Sequence, residues 1–334
     1  AAVPQRRSKP REKQKSHSVC GSSPRARLAE MKGLELCRQF YIQCGKPLIR
    51  ECLGAKADRV AAGLAGFGSE CLGFDDEISR DHDFGPAFCL WLTDEDYETF
   101  GNELTEIYNS MPREFMGYSR SKTRQTAERH GVTRISLFYS RFTGCRDIPA
   151  DEISWLKIPE HLLAAAVNGE VFDDTLGEFT RIRNGLLNFY PDDVRLKKLA
   201  ARIFAMAQAG QYNFPRITKR GDAVAASLAL GEFTSAFISA AHLINRRYTP
   251  FYKWSFKSAL QLPILSDAAG EVNRLWRETE DREEIIESVC LRTAAALRDE
   301  GLSSSEDTFL TAHSEEIMKR INSKRLRKMG VTVG

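Results

Sequence analysis

No Cys-x-x-Cys pair occurs anywhere in the chain, which excludes zinc ribbons and thioredoxin-type redox motifs. No stretch approaches the roughly 20 apolar residues of a bilayer span, and the N-terminal residues have no apolar core for a secretory signal. The phosphate loop G-x-x-x-x-G-K-[ST] is missing, as are the serine hydrolase and kinase motif sets. A dinucleotide fingerprint starting at Gly66-x-Gly68 fails because position 71 is Cys and no amphipathic helix opens after it. Acidic residues are scarce only at the start. Residues 1–30 hold eight Lys or Arg against two Glu, so this segment carries +6 and the rest of the chain −3.

What is present suits a globular protein. The 334 residues are 42 % hydrophobic and 28 % charged, enough for two domains with sizeable cores. Several of the eight cysteines sit among apolar residues, and the set reads as reduced, buried thiols of a cytoplasmic protein. Residues 1–28 read as a disordered basic extension, with nucleic acid or anionic lipid as a candidate contact and a solvated arm as the plainer reading.

Periodicity divides the remainder. Leu36, Phe40, Cys44, Leu48 and Cys52 recur at helical spacing, interrupted at Gly45-Lys46-Pro47. RVAAGLAGF (59–67) predicts a buried strand, DHDFGPAFCLWL a second strand ending near Leu92, and VTRISLFY (132–139) a third. Thr93 followed by three acids predicts a helix over 94–110, and residues 112–131 a long loop. After about 155 nearly every signal is helical. Asn168-Gly169 ends one helix, Pro191-Asp192-Asp193 starts another, and further helices are predicted over 222–246, 255–262, 267–279, 281–299 and 306–326. The expected fold is α+β, with a small mixed sheet in a domain over 29–155 and an α-helical bundle over 156–330.

The most specific stretch is Gly66-Phe67-Gly68-Ser69, then eleven residues, then Asp81-His82-Asp83. A Gly-Ser turn after a strand presents N–H groups and a hydroxyl to phosphate oxygens. On a strand, Asp81 and Asp83 would face one way and His82 the other, giving two hard oxygen donors suited to Mg²⁺ and a bound polyphosphate. In the helical half, Tyr212 with Arg216 and Lys253 beside Trp254 could stack on a base and neutralise phosphates, although aromatic packing at helix ends is common.

Gly-Ser followed at this distance by Asp-x-Asp resembles the signature of the polymerase-β-like nucleotidyltransferase superfamily. The longer string GFGSECLGFDDEISRDHDFGPAFCLWL is similar to a bacterial family, the domain of unknown function numbered 4037. So are IPEHLLAAAVNGEVFDD, GEFTRIR, YPDDVRLKKLAARIFAMAQAGQYNF and PFYKW, and the resemblance covers about residues 31–280. It implies that Gly68 and Ser69 hold a nucleoside triphosphate, ATP being the expected one. Asp81 and Asp83 would be the catalytic carboxylates and bind Mg²⁺ or Mn²⁺. A nucleoside monophosphate would then pass to a hydroxyl or amine of an acceptor. The superfamily's third acid has no counterpart in 132–146; Asp147, Asp151, Glu152 and Glu178 are the candidates, and Asp75, Asp76 and Glu77 could help order metal or substrate. The alternative is a non-catalytic nucleotide-binding or regulatory module.

Overall fold

The computed structural model describes residues 31–81, 84–120 and 129–334, with the side chains of Arg80 and Asp81 excepted. The basic extension therefore lies outside the described residues. Lys32–Gly334 form one compact unit. The fold is mixed α+β, 64 % helical with a small mixed sheet.

The sheet has four strands in the order β5-β2-β1-β6: β1 (Ala61–Leu64), β2 (Cys89–Leu92), β5 (Gly131–Arg134) and β6 (Glu170–Asp173). β1 is antiparallel to β2 and β6, and β2 is parallel to β5. A separate hairpin pairs β3 (Glu114–Phe115) with β4 (Tyr118–Ser119) inside the segment predicted as loop. Its turn is Met116-Gly117, both with positive φ.

Both faces of the sheet are covered, which is why its central strands read as unbroken apolar runs. Ala62, Phe88, Leu90 and Leu92 share a core with Phe40 of α1 (Gly33–Phe40), Tyr41 just after it, Ile49 of α2 (Lys46–Leu53) and Leu104 of α3 (Asp94–Ser110). The interruption expected at Gly45-Lys46-Pro47 is instead a wide π-helical turn, Tyr41–Gly45, that continues into α2 with Pro47 in its first turn. Helix α3 forms as predicted, with the Thr93 side chain accepting the Asp96 N–H. On the opposite face Ala61, Ala65, Cys89 and Trp91 belong to a core that continues into the helical half.

The predicted third strand is half right. β5 stops at Arg134, and α4 (Ile135–Thr143) follows, ending at left-handed Gly144. Ile135, Phe138, Tyr139 and Phe142 are buried at three-to-four spacing, so helical periodicity prevails over the β propensity of an aromatic-rich run. Three helices then bracket β6: α5 (Glu152–Lys157), α6 (Glu160–Val167) and α7 (Glu178–Leu187). The second half thus returns a strand to the sheet, which its helical patterning did not announce. Seven cysteines are described, and all are free; Cys37, Cys71, Cys89 and Cys290 are buried. Burial pushes the Cys37 and Cys89 thiols up to about 12, so they stay protonated.

The remaining helices are α8 (Asp192–Met206), α9 (Phe214–Lys219), α10 (Ala223–Ile244), α11 (Tyr252–Ala259), α12 (Ser266–Arg277), α13 (Arg282–Asp299), α14 (Leu310–Arg320) and α15 (Lys324–Arg327). Among the described residues α10 alone is long and apolar enough to cross a membrane, although no span was expected. Here its residues Ala236–Ile244 are all buried in the helical core.

His242 on α10 ties down α11, which carries Lys253 and Trp254. Its Nε2 lies 2.9 Å from Ser258 Oγ and its Nδ1 2.8 Å from Ile238 O. Burial holds its pKa below the ordinary imidazole value of 6.5. The unfolded chain therefore binds the proton first, and stability falls as pH drops below about 6.5. His242→Asn should flatten that part of the profile. Thermal midpoints of both proteins at neutral and mildly acidic pH test this, and equal slopes would remove the role.

Candidate functional site

Beyond β1 the chain turns sharply at Gly66 and Gly68, whose φ values of +112° and +147° suit glycine. Asn168, just after α6, fastens this turn. Its Oδ1 accepts the Gly66 N–H at 2.8 Å and its Nδ2 donates to Gly66 O at 2.7 Å. Gly169 follows and donates its N–H to Cys71 O at 2.8 Å. The turn then winds into a short 3₁₀ segment, Glu70–Leu72, and the Ser69 hydroxyl has no hydrogen bond to a described residue.

This turn opens into a cavity of about 650 Å³, a size ordinary for a small-molecule site. Gly66, Gly68 and Ser69 form one side, and Ala164, Ala165 and His161 of α6 another. Lys253 and Trp254 of α11, with Phe251 before it, close the far wall. Phe67 and Phe251 remain about half exposed there. The Lys253 ammonium lies 5.1 Å from the Trp254 ring centroid, and His161 sits edge-on to Phe251 at 5.9 Å. Arg129 joins the wall and forms an ion pair with Glu70, the single carboxylate among the described lining residues. A second hollow of about 520 Å³ adjoins it, sharing His161 and Pro250. Its wall holds Glu160, which accepts hydrogen bonds from Ser239 at 2.8 Å and Thr249 at 2.6 Å.

Of the residues singled out in the sequence, Gly68, Ser69 and Lys253 meet in the cavity. Tyr212 and Arg216 do not line it. They engage each other, with the Arg216 guanidinium 3.5 Å from the Tyr212 ring centroid and Nη1 donating to Tyr212 O at 3.0 Å. Asp83 and His82 lie outside the described residues. Asp81 ends a 3₁₀ turn, Ile78–Asp81, and is not on a strand as expected; β2 begins only at Cys89. The cause is local. Asp76 Oδ1 accepts both the Ser79 N–H and the Ser79 hydroxyl at 2.9 Å, which winds the segment and holds the Asp76 carboxyl below its usual range.

The candidate third acids are all engaged elsewhere. Asp147 takes two hydrogen bonds from Arg181, and Glu178 pairs with the same guanidinium. Asp151 caps α5, and Glu152 accepts from Ser323 at 2.6 Å. Asp75 is buried and accepts the Gly33 N–H at 2.9 Å, pinning the start of α1. Among the described residues no three His, Cys, Asp or Glu side chains gather as a metal site. Arg129, His161 and Asn168 were not singled out for this site. They lie far from Gly68 in sequence, and only Asn168 carried any signal, as a helix end.

Residues 155–255 match the family model described as domain of unknown function DUF4037. That segment contains β6, the four later stretches quoted above and the far wall of the cavity. It does not include the Gly68–Asp83 region. No curated protein and no solved structure matches the chain.

Proposed function

We propose that this protein is a nucleotidyltransferase that moves a nucleoside monophosphate from a nucleoside triphosphate, ATP first among them, to a hydroxyl or amine. The carrying observation is the Gly68-Ser69 turn opening into a cavity with Arg129, Lys253 and an aromatic wall. The turn's N–H groups and the Ser69 hydroxyl suit phosphate oxygens, and the two cations suit their charge. Trp254 and Phe251 offer faces on which a base can stack. The acceptor would enter from the adjoining hollow that shares His161.

In the reaction the acceptor oxygen or nitrogen bonds to the α-phosphorus, the bond from that phosphorus to the bridging oxygen breaks, and pyrophosphate leaves. The acceptor's proton goes to His161 or to water. Asp81 and Asp83 are hard oxygen donors of the kind Mg²⁺ or Mn²⁺ prefers, and the bound ion would supply positive charge to the triphosphate. The chain's own contribution is positioning and fixed charge.

One observation favours a second reading. Asp147, Asp151, Glu152 and Glu178 are all held away from the cavity by other partners, which suits a nucleotide-binding module without turnover. Calorimetric titration with each triphosphate, with and without Mg²⁺, tests the shared premise. Mg²⁺ should tighten binding, and that metal-dependent gain should vanish in the Asp81→Asn/Asp83→Asn double variant while the fold persists. Unchanged binding in that variant sinks the assignment, and metal-dependent pyrophosphate release with a supplied acceptor separates enzyme from module.

A further inference from the structure

The Glu70–Arg129 ion pair lies directly over the turn that the proposed function assigns to phosphate. A Cβ added at Gly68 would collide with both the Arg129 guanidinium and the Glu70 carboxylate, so the pair rests against the Gly68 backbone. Both side chains are mostly buried, at 23 % and 17 % exposure. Arg129 is not fully satisfied. Its Nε is buried and has no hydrogen-bond partner among the described residues, whereas Nη2 bonds to Glu70. An arginine presents a planar fork matched to two oxygens of a carboxylate or phosphate. Here one carboxylate oxygen, Oε1, meets one arm of that fork. Glu70 is also the sole described carboxylate in a wall that holds two cations.

We propose that Glu70 keeps the place of an anionic ligand. A di- or triphosphate displaces its carboxylate from Arg129, and Arg129 becomes the cation that recognises the phosphate oxygens above Gly68. A small anion such as inorganic phosphate competes poorly with a resident carboxylate, whereas a polyphosphate replaces it with more charge and more oxygens. The pair would thus hold the cavity closed to small anions. This rests on the reading that the cavity accepts a polyphosphate, but it requires neither metal nor turnover.

The test uses sodium pyrophosphate and inorganic phosphate as probes, titrated calorimetrically in EDTA into the full chain. Glu70→Gln removes the competitor, so pyrophosphate should bind about ten-fold tighter or more, the scale of one charge-assisted hydrogen bond. Arg129→Gln should weaken it by a similar factor, and Glu70→Gln should then add nothing in the Arg129→Gln background. Inorganic phosphate should bind measurably only where Glu70 is replaced. Far-UV circular dichroism checks the fold, and Glu70→Ala repeats the test should Glu70→Gln misfold. Unchanged or weaker pyrophosphate binding in a folded Glu70 variant overturns the proposal. So does a Glu70 effect seen only with Mg²⁺, which would make Glu70 a metal ligand. Failure of wild type and every variant to bind pyrophosphate overturns the polyphosphate reading beneath it. The expected pattern without any triphosphate turnover leaves this inference standing while nucleotidyl transfer falls.

Discussion

Replacing Gly169 by Ala should cost about 3 kcal/mol of stability and loosen the Gly66–Ser69 turn at the same time. Two independent penalties combine. The backbone is left-handed at φ +61°, where a non-glycine residue is strained by about 1 kcal/mol or more. A Cβ there would also fall on the Leu64 carbonyl oxygen, which belongs to backbone and cannot swing aside. Either the strand end or the α6–β6 connection must move, and overpacking of that kind costs about 1–3 kcal/mol. Gly177 supplies the control. Its φ is +75°, but nothing lies within 4 Å of the added carbon, so Gly177→Ala should lose only the strain, about 1 kcal/mol. Urea unfolding of the two variants isolates the collision, and equal losses would show that it is relieved. Because Asn168 is the preceding residue, Gly169→Ala should also weaken the proposed triphosphate binding, whereas Gly177→Ala should not.

The elements that were legible in the sequence are those whose signals are local. β1 and β2 announce themselves as short apolar runs because both faces of the sheet are covered. α3 and α8 are announced by Thr93 and by Pro191-Asp192-Asp193. The errors occur where a distant partner decides. Ile135–Thr143 is aromatic and β-branched enough for a strand, but its buried residues face Trp91 and Phe179, and that packing requires a helix. β6 is only four residues long and depends on β1, whose Gly63 permits close approach; a Cβ there would strike the Glu170 carbonyl.

The candidate site divides in the same way. Gly68 and Ser69 could be found because the turn chemistry lies in consecutive residues. Lys253 could be found as a cation beside an aromatic, but so could Arg216, which the fold uses to cover Tyr212. Proximity in sequence could not separate those two. Arg129 and Glu70 are 59 positions apart, and no periodicity relates them. The Asn168 amide looked like an ordinary helix end, yet it completes the edge of the turn two hydrogen bonds at a time.

Trp91 carries the other large expected effect, and it tests whether the sheet and the helical half fold together. The side chain is fully buried and stacked on Phe179 of α7, with ring centroids 3.8 Å apart and planes 18° from parallel. Phe138 meets it edge-on at 5.3 Å. Trp91→Ala should therefore cost about 3–5 kcal/mol, the usual penalty for emptying a large aromatic site. Trp91→Phe should cost much less. Phenylalanine retains a ring on Phe179 and removes the indole Nε1, which is buried without a hydrogen-bond partner among the described residues. Leaving such a donor unsatisfied carries a penalty of about 1–3 kcal/mol, so its removal offsets part of the lost packing. The core on this face runs from Ala61 through Trp91 to Leu326, so both variants should unfold in one transition. Separation into two transitions, or a loss below about 1 kcal/mol for Trp91→Ala, would mean that the stack does not couple the two halves.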